Sequence, residues 1–136
     1  MAAPGVTEAD LPVLEAGAGG RLAIGTLVSM DAPAGIKPSL AVECSRAPCR
    51  DAPGYDAVTW HSNLTVTTNA LDPDPLFVSA ILNEPGQPII RGACGPGRCK
   101  SDGDFIDLVI DDAGAPWLAF VACPGGECPQ TTVRAG

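Results

Sequence analysis

The chain has 136 residues, 46% hydrophobic but only 4% aromatic, with sixteen Gly, fourteen Pro and a net charge of −8. That length and apolar content suit one domain with a real core and exclude a wholly disordered chain. The Pro content excludes long helices, since an interior Pro costs a helix about 3 kcal/mol.

The acidity opposes contact with phosphate backbones and anionic membranes. No run approaches the roughly 18 apolar residues of a spanning helix. Nucleic acid and a membrane span are therefore set aside. The acidity suits solubility and can also suit cations.

In chain order, residues 1–11 read as a tail or linker and residues 12–136 as one all-β domain. Met1 to Leu14 lacks the basic and apolar regions of a signal peptide, so export implies a leader already removed or a longer parent chain. Arg21 to Met30 is a strand candidate, with Leu22, Ile24 and Val28 on alternate positions around Thr26. Residues 31–56 are loop-rich, with an apolar patch at Leu40 to Val42.

Residues 57–69 are the clearest strand. Val58, Trp60, Leu64 and Val66 share one face, and His61, Asn63, Thr65 and Thr67 the other. Period two marks a half-buried strand. Residues 75–82 form a further strand, and a Pro/Gly loop fills 85–100. Residues 104–110 and 116–122 are strands joined by the turn residues Asp111 to Gly114, which predicts a hairpin. No segment of useful length has helical periodicity. Gly20 to Leu27 is echoed by Gly114 to Val121, 94 residues later, or twice 47, a period expected of propeller blades.

Six Cys fall into three pairs of one spacing: Cys44 with Cys49, Cys94 with Cys99, and Cys123 with Cys128. Each intervening loop holds Pro or Gly, which lets the chain fold back to disulfide distance. Local disulfides place the chain in an oxidising compartment, extracellular or periplasmic. Zinc is the competing reading, but it favours shorter spacings and His, and the only histidine, His61, is remote in sequence. Free or mixed thiols are the third.

Asp102, Asp104 and Asp107 are an acidic cluster of the oxygen-rich kind that suits calcium, although the spacing is not that of an EF-hand. Ordinary loop acidity is the alternative. His61 reads as a surface or satisfied histidine. Asn63 to Thr65 matches a glycosylation acceptor inside a strand. No Gly-x-Ser-x-Gly and no phosphate-binding Gly loop occurs.

Ile110-Asp111-Asp112-Ala113-Gly114-Ala115-Pro116-Trp117 resembles a degenerate Asp box, with Asp112, Gly114 and Trp117 in register. The stretch from Gly103-Asp104-Phe105 to Phe120 is similar to bacterial sialidase-like β-propellers with Asp-box (BNR) repeats. So are Arg91-Gly92-x-Cys94 and the segment from Ser62 to Leu76, with Thr68-Asn69-Ala70 and Asp74-Pro75. The resemblance covers roughly residues 57–122. It implies antiparallel propeller-like blades, about one complete and part of another, and a structural role for Asp112, Gly114 and Trp117 in bracing a turn. A small β-sandwich is the alternative architecture.

The resemblance also implies what an active sialidase of this kind needs: three arginines, a Tyr–Glu pair and an acidic residue. The Arg-Ile-Pro motif is absent, Tyr55 has no identifiable Glu partner, and none of the arginines maps to a catalytic position. The expectation is therefore a non-catalytic or incomplete portion of an extracellular propeller, with glycan or surface binding. Its partners would be glycans, neighbouring blades or further copies. The alternative is a structural module that self-assembles through open β edges. No cofactor is expected beyond calcium.

Overall fold

The computed structural model describes residues 4–31, 59–84, 86–91, 106–122 and 132–135. In chain order, strand β1 (Glu8–Gly17) is followed by a single 3₁₀ turn (Ala18–Gly20) and then β2 (Arg21–Ser29). The further strands are β3 (Thr59–Thr67), β4 (Val78–Ile81), β5 (Ile90–Arg91), β6 (Ile106–Ile110), β7 (Pro116–Ala122) and β8 (Thr132–Ala135). The protein is all-β with antiparallel sheets, as its alternation and punctuation predict. The strands expected over 57–69, 75–82, 104–111 and 116–122 correspond to β3, β4, β6 and β7. Among the described residues no helix is long and apolar enough to cross a membrane.

β1, β2, β3 and β4 form an up-and-down sheet, and β5 pairs with β3 beyond the reach of β4. The second sheet runs β6-β7-β8. The faces of β3 divide the residues as the alternation predicts, but the strand is not half-buried, since Asn63, Thr65 and Thr67 of the polar face are buried as well. Trp60, Leu64 and Val66 belong to the core, while Thr65 on the opposite face shares a 2.7 Å hydrogen bond with Ser79 of β4.

The core lies between the sheets. Ala23 and Leu27 of β2, Trp60 of β3 and Ile89 from one layer pack with Leu108 of β6 and with Leu118 and Phe120 of β7. Leu118 is 0% exposed, a burial that stabilises by about 1.5–3 kcal/mol. It seats over Gly25, where an added Cβ would fall 2.3 Å from Leu118 Cδ1 and 3.0 Å from Val13 Cγ2. Gly25 is required here for space rather than for an unusual φ, and it sets how closely the layers approach. The up-and-down order is that of a propeller blade, and face-to-face packing of two antiparallel sheets is also that of a sandwich.

The tail assigned to residues 1–11 needs correction. β1 begins at Glu8, and Glu8, Ala9 and Asp10 pair with Ser29, Val28 and Leu27. The alternation was hidden by a bulge: the register shifts between Asp10 and Val13, and Leu11 takes φ 50. Asp10 Oδ1 accepts the Leu11 N–H at 2.9 Å, and Thr26 Oγ1 donates to Asp10 O at 2.7 Å. A bulge beside Pro12 also blunts an edge strand against pairing with another chain.

Candidate functional site

Three loops meet at one end of the two layers. The β1–β2 loop, Ala18 to Gly20, is spanned by the pair Gly17 and Arg21. The β6–β7 loop closes where Asp111 N donates to Ala115 O at 2.9 Å and Gly114 N to Asp111 O at 2.9 Å. Each has three residues inside its frame and ends on a left-handed glycine, Gly20 at φ 80 and Gly114 at φ 85. A left-handed residue at that place suits the strand twist, and Gly takes it without steric cost. The 94-residue echo therefore marks equivalent loop positions. It does not mark equivalent faces, since Ile24 lies outside the core cluster and its counterpart Leu118 within it.

The third loop joins β3 to β4. Asn69 organises it, accepting at Oδ1 from Thr67 Oγ1 at 2.8 Å and from Leu76 N at 3.0 Å, and donating through Nδ2 to Asp72 Oδ2 at 2.9 Å. Ala70 N donates to Gly20 O at 2.9 Å, which docks this loop on the β1–β2 turn.

The turn resembling an Asp box is braced by Asp111 rather than Asp112. Asp111 Oδ1 accepts the Ala115 N–H at 2.8 Å, and Oδ2 accepts the Trp117 indole N–H at 2.8 Å. Asp111 occupies the first position of the turn, where a short carboxylate reaches the following amides. Asp112 is exposed. The indole hydrogen bond, followed by that from Ala115 N, holds the Asp111 carboxyl below its ordinary range. Trp117 is 45% exposed on the outside of the second sheet, paired across strands with exposed Val109.

Arg21, at the start of β2, lies over Gly114. An added Cβ there would sit 2.6 Å from Arg21 Nε, and Arg21 Nη1 donates to Ala18 O at 3.0 Å. Between the loops is an open cleft of about 90 Å³, lined by Arg21, Val66, Thr68, Ile110, Gly114 and Pro116 among others. This arrangement sets an exposed guanidinium beside largely apolar walls.

Two polar clasps lie elsewhere. Asn83 fills the gap between β4 and β5 along β3. Its Oδ1 accepts the Ser62 N–H at 3.0 Å, and its Nδ2 donates to Gln87 O at 2.9 Å. The same Nδ2 lies 2.9 Å from His61 Nδ1, so His61 accepts there. Asp31 ties the end of β2 to the start of β3, accepting Thr59 N at 2.9 Å and Ser29 Oγ at 2.9 Å on Oδ1, and Thr59 Oγ1 at 2.7 Å on Oδ2. Burial pushes the Asp31 carboxyl up, but the bonds from Thr59 and Ser29 outweigh it and leave the group lowered.

Asn63 of the glycosylation pattern is 3% exposed, its Nδ2 donating to Thr65 Oγ1 at 3.2 Å, so the acceptor is sealed inside the sheet. Asp107 is exposed on β6 and accepts the Leu108 N–H at 2.9 Å, while Asp102 and Asp104 lie outside the described residues. The six cysteines and Tyr55 also lie outside them. Among the described residues no three His, Cys, Asp or Glu side chains gather as metal ligands. Comparison with protein-family models, curated proteins and solved structures finds no match.

Proposed function

We propose that the chain is a non-catalytic portion of an extracellular, sialidase-like β-propeller, and that it works by presenting surfaces to glycans or neighbouring protein. The observation that carries the reading is a four-strand meander packed face to face on a second meander whose hairpin turn is braced by Asp111 and Trp117. One blade and part of another would present such an arrangement. The cysteine spacing supports an oxidising compartment, and the acidic cluster around Asp107 is where calcium would be sought.

Sialoside hydrolysis needs an anion clamp, a nucleophile and a general acid in one pocket. In a propeller these converge from several blades, more than 136 residues hold. The test is release of a fluorescent aglycone from a sialoside, beside binding to immobilised glycans. Binding without turnover is expected. Turnover by wild type that Tyr55→Phe abolishes would make the chain an enzyme.

The second reading, self-assembly through open edges, is favoured by β4. Val78, Ser79 and Ala80 are exposed, and among the described strands β4 pairs on one side only. Such an edge invites another strand. Sedimentation should then show oligomers that weaken with Ser79→Pro, which removes a backbone donor from that strand.

A further inference from the structure

We propose that the cleft between the three loops is a binding site for a small carboxylate carrying a short aliphatic tail. The carboxylate would sit on the Arg21 guanidinium and the tail between Val66, Ile110 and Pro116. In a chain of net charge −8, a fixed arginine would be expected to pair with one of many carboxylates. Among the described residues no carboxylate bonds Arg21, and its side chain donates only to Ala18 O. A guanidinium has five N–H donors in a planar fork, so most of this fork is left for a ligand.

The Asp111 carboxylate of the β6–β7 turn is committed to Trp117 and Ala115. The bond to Ala18 O and the room left by Gly114 for Nε and Cζ favour one placement of the exposed guanidinium. Pre-setting the fork reduces the ordering lost on binding.

The cleft supplies the rest of the selectivity. The cleft, about 90 Å³ and open to solvent on one side, has room for a short aliphatic tail. Thr67, the polar side chain deepest among the lining residues, has already spent its hydroxyl on Asn69. The walls therefore reward methylenes, and the rim rewards a single negative charge. An acid longer than the cleft would leave its tail in water, and acetate would leave the walls unfilled.

The experiment is a titration of the whole chain with butyrate, followed by methyl and arginine side-chain NMR. Acetate and propylammonium serve as the tail and charge controls. Butyrate should shift the Ile110 and Val66 methyls and Arg21 Nε–H saturably, with a dissociation constant on the order of millimolar, as suits six heavy atoms. Acetate should bind more weakly and propylammonium should leave those signals unmoved. Arg21→Gln, at an exposed position, should weaken butyrate roughly tenfold, the loss of a charge-assisted contact. Equal shifts from propylammonium, equal affinity in a folded Arg21→Gln chain, or the absence of any saturable shift would each overturn the proposal.

Discussion

The two tryptophans of this chain solve opposite problems. Trp60, near the start of β3, is 1% exposed, yet its indole N–H has no partner among the described residues. Trp117, on the outside of β7, is 45% exposed, yet its N–H is held by Asp111. A buried Trp usually finds a hydrogen-bond partner. Here the apolar contact between layers outweighs the cost of one orphan donor, which is about 1–3 kcal/mol. At Trp117 the hydrogen bond is the structural element and the ring face is left to solvent. Burial and polar satisfaction are separate quantities, and each tryptophan is held by a different one.

The comparison breaks most visibly by truncation. Trp60→Ala should cost about 3–5 kcal/mol in denaturant unfolding, whereas Trp117→Ala should cost no more than about 1 kcal/mol, the worth of an exposed hydrogen bond. Trp60→Phe sharpens it, because it removes the orphan donor with the ring edge. Its loss should fall well short of that for alanine, and a loss equal to alanine's would show that the N–H is satisfied after all.

Next in size is the seam between the two sheets at Gly25. Gly25→Ala forces a methyl into the space of Leu118 and should cost about 1–3 kcal/mol by overpacking. In a Leu118→Ala background that penalty should shrink, since the two residues share one volume. Additive losses would mean that the sheets do not meet there.

The polar clasps come after the seam. Asn83→Ala strips the partner from the buried Ser62 amide and should cost about 1–3 kcal/mol. Hydrogen exchange at Ser62 should accelerate in that variant while Thr65 stays protected. In the wild type, nitrogen shifts of His61 should show the proton on Nε2, because Asn83 donates to Nδ1.

The smallest effect is the acid response. Asp31 and Asp111 both titrate below their ordinary 3.8 in the folded chain. A carboxyl depressed by folding adds stability above its unfolded pKa, and that stability is lost as pH falls through the folded value. The loss therefore sets in below about pH 3.8 and reports two local events. Trp117 fluorescence should change over that range, and Asp111→Ala should show the acid-form emission already at neutral pH.

The strands that sequence revealed are those with uninterrupted alternation. β3 could be read to within two residues, and the β6–β7 hairpin followed from the residues of its turn. β1 escaped because a bulge at Leu11 and the ring of Pro12 break the period in the middle of a ten-residue strand. β5, two residues long, is too short for any period. The turn was found at the right place with the wrong aspartate. The Asp-box register selects Asp112, whereas the hydrogen bonds select the residue whose backbone opens the turn. Asn83, Asp31 and Arg21 left no signal, because each acts on a partner at least 20 residues away or across a loop that only the fold creates.

The seam where the two meanders meet at Gly25 is what makes one body of these strands. The most direct test is the set of nuclear Overhauser contacts between the Leu118 δ-methyls and the α-protons of Gly25. The packing described here predicts strong contacts from Leu118 to Gly25 and to the Val13 methyls. Intact contacts within each sheet, with none from Leu118 to Gly25, would show that the two layers do not face each other.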